Sequence, residues 1–196
     1  MRDIWEEQLK WLESGEPFVL ARVIRTWRSA PRKSGAGMLI AKGVDNAPLP
    51  KVLGSVSGGC IEGAVIEEAL DTLESGESRR LSFGVEDDLA LSVGLSCGGE
   101  VTVLLEKHWA FSTMLETKKV WNALQNCISN NEPAILISAL PKENGSSAEN
   151  PTPLLILPEG ENVGGMQNNF EEVSALAEEA YKERENKIVE IGGEEY

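Results

Sequence analysis

Histidine is almost missing from this sequence. His108 is the only one in 196 residues, and it stands at the end of a strand-like run with no nucleophile motif near it. A Ser–His–Asp apparatus therefore has no support. Cysteine is scarce as well: three residues, an odd number without framework spacing, as suits a reducing cytoplasm. A tetrahedral zinc site needs four ligands, and two cysteines 37 positions apart with one remote histidine do not supply them. Positive charge is short too, with 18 Lys and Arg against 32 Asp and Glu and a net charge of −14. That balance argues against nucleic acid or an anionic membrane as a partner, since both need a basic surface. No apolar run approaches transmembrane length, and the acidic start MRDIWEEQLKW lacks the basic and apolar segments of a signal peptide. A cytoplasmic protein is expected.

What is present centres on residues 52–73. Val52, Leu53 and Val56 read as a short strand, Ser57-Gly58-Gly59-Cys60 as a turn, and the residues from Ile61 as a helix. Ile61, Ala64, Val65, Ala69 and Leu73 recur near the 3.6 period, with Glu62, Glu67, Glu68 and Asp71 between them. Two glycines let a backbone approach a ligand closely, and the first helical N–H groups point at whatever sits there. A thiol at that place feels the positive end of the helix, which favours thiolate. A second turn of this kind, Gly94-Leu95-Ser96-Cys97-Gly98-Gly99, follows downstream. Cys127 falls on the apolar side of a predicted helix and reads as a small core hydrophobe. Arg22, Arg25, Arg28, Arg32 and Lys33 crowd into twelve positions of an otherwise acidic chain. They read either as a solvated basic loop or as a pocket for an anionic small molecule, phosphate-bearing above all, because Arg matches phosphate geometry.

Around that centre the chain alternates helix and strand. Asp3 and Glu6 suggest a capping box for a first helix that ends near Ser14-Gly15. Strands are expected at 18–24, 38–41, 80–83 and 100–105, a helix at 113–128 and a last strand at 187–191. Residues 141–153, rich in Ser, Asn and Pro, read as a mobile loop. An internal repeat runs through this pattern at an offset of 116. Glu16-Pro17 and the run after it return as Glu132-Pro133 with its own run, and Met38-Leu39-Ile40 returns as Leu154-Leu155-Ile156. After a small deletion, Leu53-Gly54-Ser55-Val56 matches Val163-Gly164-Gly165-Met166. The second copy has Gln167-Asn168-Asn169 where the first has its cysteine turn. The reading is an α/β protein of mixed sheets with covering helices. It has two similar strand-strand-strand-helix-strand halves, residues 1–110 and a degenerate 111–196 packed on the first.

Three motifs then carry a resemblance. Thr26, Ser29-Ala30-Pro31-Arg32, Gly35-Ala36 and Met38 come first; Gly54 to Gly63 comes next; Gly94 to Gly99 comes last. In that order, over roughly the first 106 residues, they resemble the signature of the XdhC/CoxI family. The resemblance implies a maturation factor for molybdenum hydroxylases such as xanthine dehydrogenase or carbon monoxide dehydrogenase. Such factors bind molybdenum cofactor (molybdopterin), protect it through sulfuration and hand it to the apo-enzyme. Longer members continue into a Rossmann-type domain, and no glycine-rich fingerprint of one is found here.

Carried onto this sequence, the cofactor-binding set is Arg28, Arg32, Ser57, Gly58, Gly59, Cys60, Glu62, Cys97, Gly98 and Gly99. Arg28, Arg32 and the Gly58-Gly59 amides suit the phosphate. Cys60 and Cys97 suit molybdenum or a transferable sulfur, since both are soft ligands. The implied partners are the apo-hydroxylase, a cysteine desulfurase and a second copy of the chain. A cofactor chaperone is expected rather than a turnover enzyme. Two other readings stay open: a thiol redox or sulfur-transfer enzyme using Cys60 and Cys97, and a cofactor-free interaction protein.

Overall fold

Phe18-Val19-Leu20-Ala21 is apolar at every position, so its strand must be covered on both faces. It opens β1 (Phe18–Trp27), and all four residues are buried. β2 (Gly37–Ala41) is likewise buried throughout and pairs antiparallel with β1, Leu20 opposite Leu39. The computed structural model describes residues 4–28, 30–44, 48–84, 99–147, 151–157, 160–165 and 170–196. The chain forms two units, Met1–His108 with Pro141–Glu149, and Trp109–Leu140 with Asn150–Tyr196.

The first unit continues from α1 (Trp5–Ser14), β1 and β2 into β3 (Lys51–Gly54), α2 (Glu62–Ser75), β4 (Ser78–Phe83) and β5 (Glu100–Lys107). These strands lie in one antiparallel sheet, in the order β3-β2-β1-β5-β4. One face carries Val19, Ala21, Val23, Met38, Ile40, Val101, Val103 and Leu105, packed with Ile61, Val65 and Ala69 of the α2 region. Each fully buried aliphatic side chain contributes about 1.5–3 kcal/mol, so this layer is what fixes α2 on the sheet.

Residues 141–153, expected to be a loop, partly join that sheet. β7 (Gly145–Ser147) pairs with β4 as its outermost strand, and Asn144 Oδ1 accepts a 2.9 Å hydrogen bond from Ser82 N. A polar, Pro-rich segment can still supply an edge strand, because backbone groups alone make the ladder. The capping box expected for α1 involves Asp3, outside the described residues. Ile4 takes the N-cap position and no side-chain cap bond forms there.

In the second unit, α3 (Leu115–Ser129) precedes β6 (Ile135–Ile137), β8 (Leu154–Ile156), β9 (Asn162–Gly164) and α4 (Phe170–Glu183). A closing hairpin follows, β10 (Glu190–Ile191) with β11 (Glu194–Glu195). β6, β8 and β9 form an antiparallel sheet with β8 in the middle, as β2 is in the first unit. Leu136 faces Leu155 and Leu155 faces Val163, which is the register of Leu20 with Leu39 and Leu39 with Leu53. The two halves are therefore alike, as expected, with the second reduced: its last strand is two residues rather than five.

Gly54 and Gly164 close the equivalent third strands at φ +84° and +104°. A Cβ on Gly54 would run into the Gly37 carbonyl oxygen and the Ile4 side chain, and one on Gly164 into the Pro153 carbonyl oxygen and the Val120 side chain. Gly37 and Pro153, and Ile4 and Val120, are each separated by the repeat offset of 116. The close approach is shared by the halves down to the obstacles around it.

Candidate functional site

Gly58 and Gly59 have φ of +81° and +122°, which a side chain at either position would strain. This backbone curls the amides of Val56, Ser57, Gly58 and Gly59 inward, and the group they surround is the carboxylate of Glu62. Glu62 Oε1 accepts from Ser55 Oγ at 2.6 Å, Ser57 N at 2.9 Å, Gly58 N at 3.1 Å and Val56 N at 3.2 Å. Its Oε2 accepts from Ser57 Oγ at 2.5 Å and Gly59 N at 2.8 Å. Burial alone would raise this carboxyl's pKa, but the hydrogen bonds from Ser55, from Ser57 and from the backbone outweigh it and hold the pKa at about 2. Ser57 Oγ also accepts from Ile61 N at 3.1 Å, so one buried hydroxyl ties the turn to the helix start.

Cys60 follows this turn directly. It is half-buried and packs against the core beneath α2. Cys97 and Gly98 lie outside the described residues, while Gly99 is buried immediately before β5. Among the described residues no group of three or more His, Cys, Asp or Glu could hold a metal ion. Cys127 is buried in α3, as expected of a core cysteine, and burial pushes its thiol pKa up.

The basic cluster divides in two. Arg22 donates to Glu106 at 2.5 Å, both largely buried, and Arg25 to Glu143 at 3.4 Å. These two guanidiniums balance acids of their own unit. Arg28, Arg32 and Lys33 instead sit on the loop between β1 and β2. That loop is fastened back onto β1 by Val23 N to Ala36 O at 2.9 Å and Gly35 N to Val23 O at 2.8 Å. Arg28 takes a left-handed φ of +56° and places its guanidinium 3.9 Å from the centre of the half-exposed Trp27 ring. The loop reaches the cysteine turn: a Cβ on Gly58 would lie 3.6 Å from Pro31 Cβ. The two motifs, far apart in sequence, thus converge at Pro31 and Gly58.

Several features were not expected from sequence. Ser55 enters the site as a donor to Glu62. The signal was available, since a carboxylate three residues after Gly59 has the spacing by which a capping-box Glu reaches back to an amide. His108 is buried against Phe18, with ring centroids 4.8 Å apart, and its Nε2 lies 3.1 Å from Gln8 Nε2. Burial, helped by the nearby Arg22 charge, pushes its pKa down to about 3. Arg80, also buried, donates toward Pro141 O at 3.5 Å. A cleft of about 230 Å³ at the ends of β4 and β5 is lined in part by Arg25, Ser82, Glu100, Glu143 and Asn144.

Residues 11–84 match the model of the XdhC and CoxI family, so the resemblance carried by the motifs is borne out over that segment. The molybdenum cofactor insertion chaperone PaoD of Escherichia coli is 33% identical over 106 residues, which are 54% of this chain and 31% of PaoD. A probable xanthine dehydrogenase subunit of Bacillus subtilis is 33% identical over 98 residues, 49% of this chain and 28% of that protein. A solved structure described as a xanthine dehydrogenase from Bacillus halodurans superposes with a TM-score of 0.61 at 25% identity, over 83% of this chain and 45% of that one. The chain thus spans less than half the length of each of these proteins. Among the described residues, no helix is long and apolar enough to cross a membrane.

Proposed function

We propose that this chain binds molybdenum cofactor as cargo and helps deliver it, in sulfurated form, to a molybdenum hydroxylase of the xanthine dehydrogenase or carbon monoxide dehydrogenase kind. The observation that carries the reading is the convergence of two motifs of the family signature: Pro31, on the loop bearing Arg28 and Arg32, meets Gly58 in the turn that precedes Cys60. The similarity to a molybdenum cofactor insertion chaperone supports it.

In this reading the residues divide the cargo by its chemistry. Molybdopterin ends in a phosphate and carries molybdenum on a soft dithiolene. Arg28 and Arg32 hold the phosphate by charge-assisted hydrogen bonds. Cys60 offers a soft sulfur to the metal or to a transferable sulfur, with Cys97 as the second thiol offered by the sequence. The half-exposed Trp27 ring, already covered by Arg28, gives a flat surface beside them.

The test is metal and pterin analysis of protein purified without oxygen from a host that makes the cofactor. Molybdenum and pterin in equal amounts on the wild type, and neither on Cys60→Ser, is the expected result. Arg32→Ala should weaken cofactor binding by about 1.5–3 kcal/mol, the worth of a hydrogen bond to a charged group. Turnover of a persulfide or disulfide with no molybdenum bound would overturn the reading in favour of a thiol enzyme. Neither cargo nor turnover would leave an interaction protein.

A further inference from the structure

We infer that Glu62 is the built-in anion of the cysteine turn, a positioning residue that fills the amide nest of Val56 to Gly59 and so reserves Cys60, not the glycine amides, for cargo. The inference deepens the function proposed above and rests on it. It reassigns the Gly58-Gly59 amides, which the sequence alone would give to a phosphate.

Curled glycine turns with inward amides form anion sites because several N–H dipoles converge on one point. Here four consecutive amides and two hydroxyls converge, and all six donate to one carboxylate at 2.5–3.2 Å. A carboxylate offers about four lone-pair directions, so Glu62 is saturated and the nest has no donor left over. Gly58 N is shared further with Ser55 Oγ at 2.8 Å. A tetrahedral oxyanion could enter only by evicting Glu62 from every one of these bonds. Its own negative charge would meanwhile lie beside that carboxylate, which Coulomb repulsion opposes.

What the carboxylate does is mechanical. The nest fixes residues 56–59, and Ser57 Oγ carries the constraint on to Ile61 N at 3.1 Å. Cys60 lies between those two anchored points, so its backbone has one available path. The phosphate of a cargo is then left to the loop of Arg28 and Arg32, and the turn presents sulfur.

The experiment uses the full chain, free of cofactor, with inorganic phosphate as the probe, followed at the backbone amides by NMR. In the wild type, Gly58 and Gly59 amides, though on an exposed turn, should exchange with solvent at least about tenfold more slowly than unprotected amides. That protection should not change with phosphate. In Glu62→Ala the vacated nest should take up inorganic phosphate, moving the Val56 to Gly59 amides. Cys60 should also be alkylated at a rate altered on the order of tenfold, and phosphate should restore it toward wild type. A merely structural glutamate would give no such rescue.

If Glu62→Ala does not fold, the wild-type exchange and phosphate measurements decide alone. Unprotected Gly58 and Gly59 amides in the wild type, or amides there whose protection changes with phosphate, overturn the inference. So does a folded Glu62→Ala that ignores phosphate. No measurement in this set involves molybdenum or pterin, so its failure is separable from failure of the cargo reading.

Discussion

The two halves share a register and differ in what they hang on it. In the first, the turn from β3 to α2 holds seven residues, 55–61, and α2 opens with Glu62. In the second, five residues, 165–169, separate β9 from α4, and α4 opens with the part-exposed Phe170. The closing hairpins differ more. Residues 84–99 connect β4 to β5, whereas Gly192-Gly193 connects β10 to β11, with φ of +62° and +84°. That pair is the tight two-residue turn a hairpin prefers. Leu140 N donates to Glu195 O at 2.8 Å, so even the β6–β11 neighbourhood repeats that of β1 with β5. The lesson is that the shared frame needs neither cysteine turn. Residues that the frame does not require, and that only one half carries, are where the proposed cargo chemistry is to be tested.

The largest effect should come from making the first half more like the second. Replacing residues 85–99 by Gly-Gly should leave the β4–β5 ladder intact, because β10 and β11 close over the same linker. It removes Cys97, so molybdenum and pterin should fall to background while far-ultraviolet circular dichroism and thermal unfolding stay cooperative. A folded variant that still carries cofactor would place the cargo on Cys60 and the basic loop alone. An unfolded one would show that the long connection is part of the frame.

The shared close approach can be broken in both halves at once. Gly54→Ala and Gly164→Ala each put a methyl group against a carbonyl oxygen and a core side chain, at a left-handed φ. Backbone strain and overpacking together predict a loss of roughly 2–4 kcal/mol in either variant, read by denaturant unfolding. Similar losses would establish that the two glycines do one job. A neutral Gly164→Ala would mean the second copy has drifted further than its register suggests.

Much of this frame was legible in the sequence, because apolar runs in strands leave a pattern of their own. The offset that aligned Met38-Leu39-Ile40 with Leu154-Leu155-Ile156 also gives the strand pairings. The site was legible as residue types and not as partners. Ser57, Gly58, Gly59 and Glu62 were all candidates, yet their mutual bonding depends on backbone curvature that spacing does not specify. Arg22 and Arg25 looked like the rest of their basic cluster, and only the sheet register brings Glu106 beside Arg22. β7 was illegible for a different reason, since an edge strand of Gly and Ser has no apolar period to read.

Acid acts on the first unit through a buried histidine. The second unit's core cluster is Ile137, Leu154, Val173, Ala177, Ile191 and Tyr196, whereas the first unit buries His108. With its folded pKa lowered to about 3 from 6.5, His108 binds fewer protons folded than unfolded throughout the interval between those values. The stability this contributes is complete above about pH 6.5 and is lost as pH falls toward 3. Between pH 7.5 and 5 the loss should be about 2 kcal/mol, before Glu62, lowered from 4.5 to about 2, begins to matter. His108→Asn should flatten that part of the stability–pH curve. An unchanged slope would show that His108 is not the group responsible.

The smallest effect distinguishes two serines, one in the turn before the first half's covering helix and one inside that of the second. Ser57 is fully buried, accepts from Ile61 N at 3.1 Å and donates to Glu62 Oε2 at 2.5 Å. Alanine there would leave a helix-start amide without its acceptor and take one of six donors from the carboxylate, a loss of about 1 kcal/mol. Ser174, early in α4, has a buried Oγ with no hydrogen-bond partner among the described residues. A buried hydroxyl that bonds to nothing is a liability, and alanine is the better helix former. Ser174→Ala should therefore be neutral or stabilising by up to about 0.5 kcal/mol. Opposite signs for the two alanines would mean that the Ser57 hydroxyl belongs to a built turn and that the Ser174 hydroxyl belongs to no network. Equal losses would mean that Ser174 is bonded in solution.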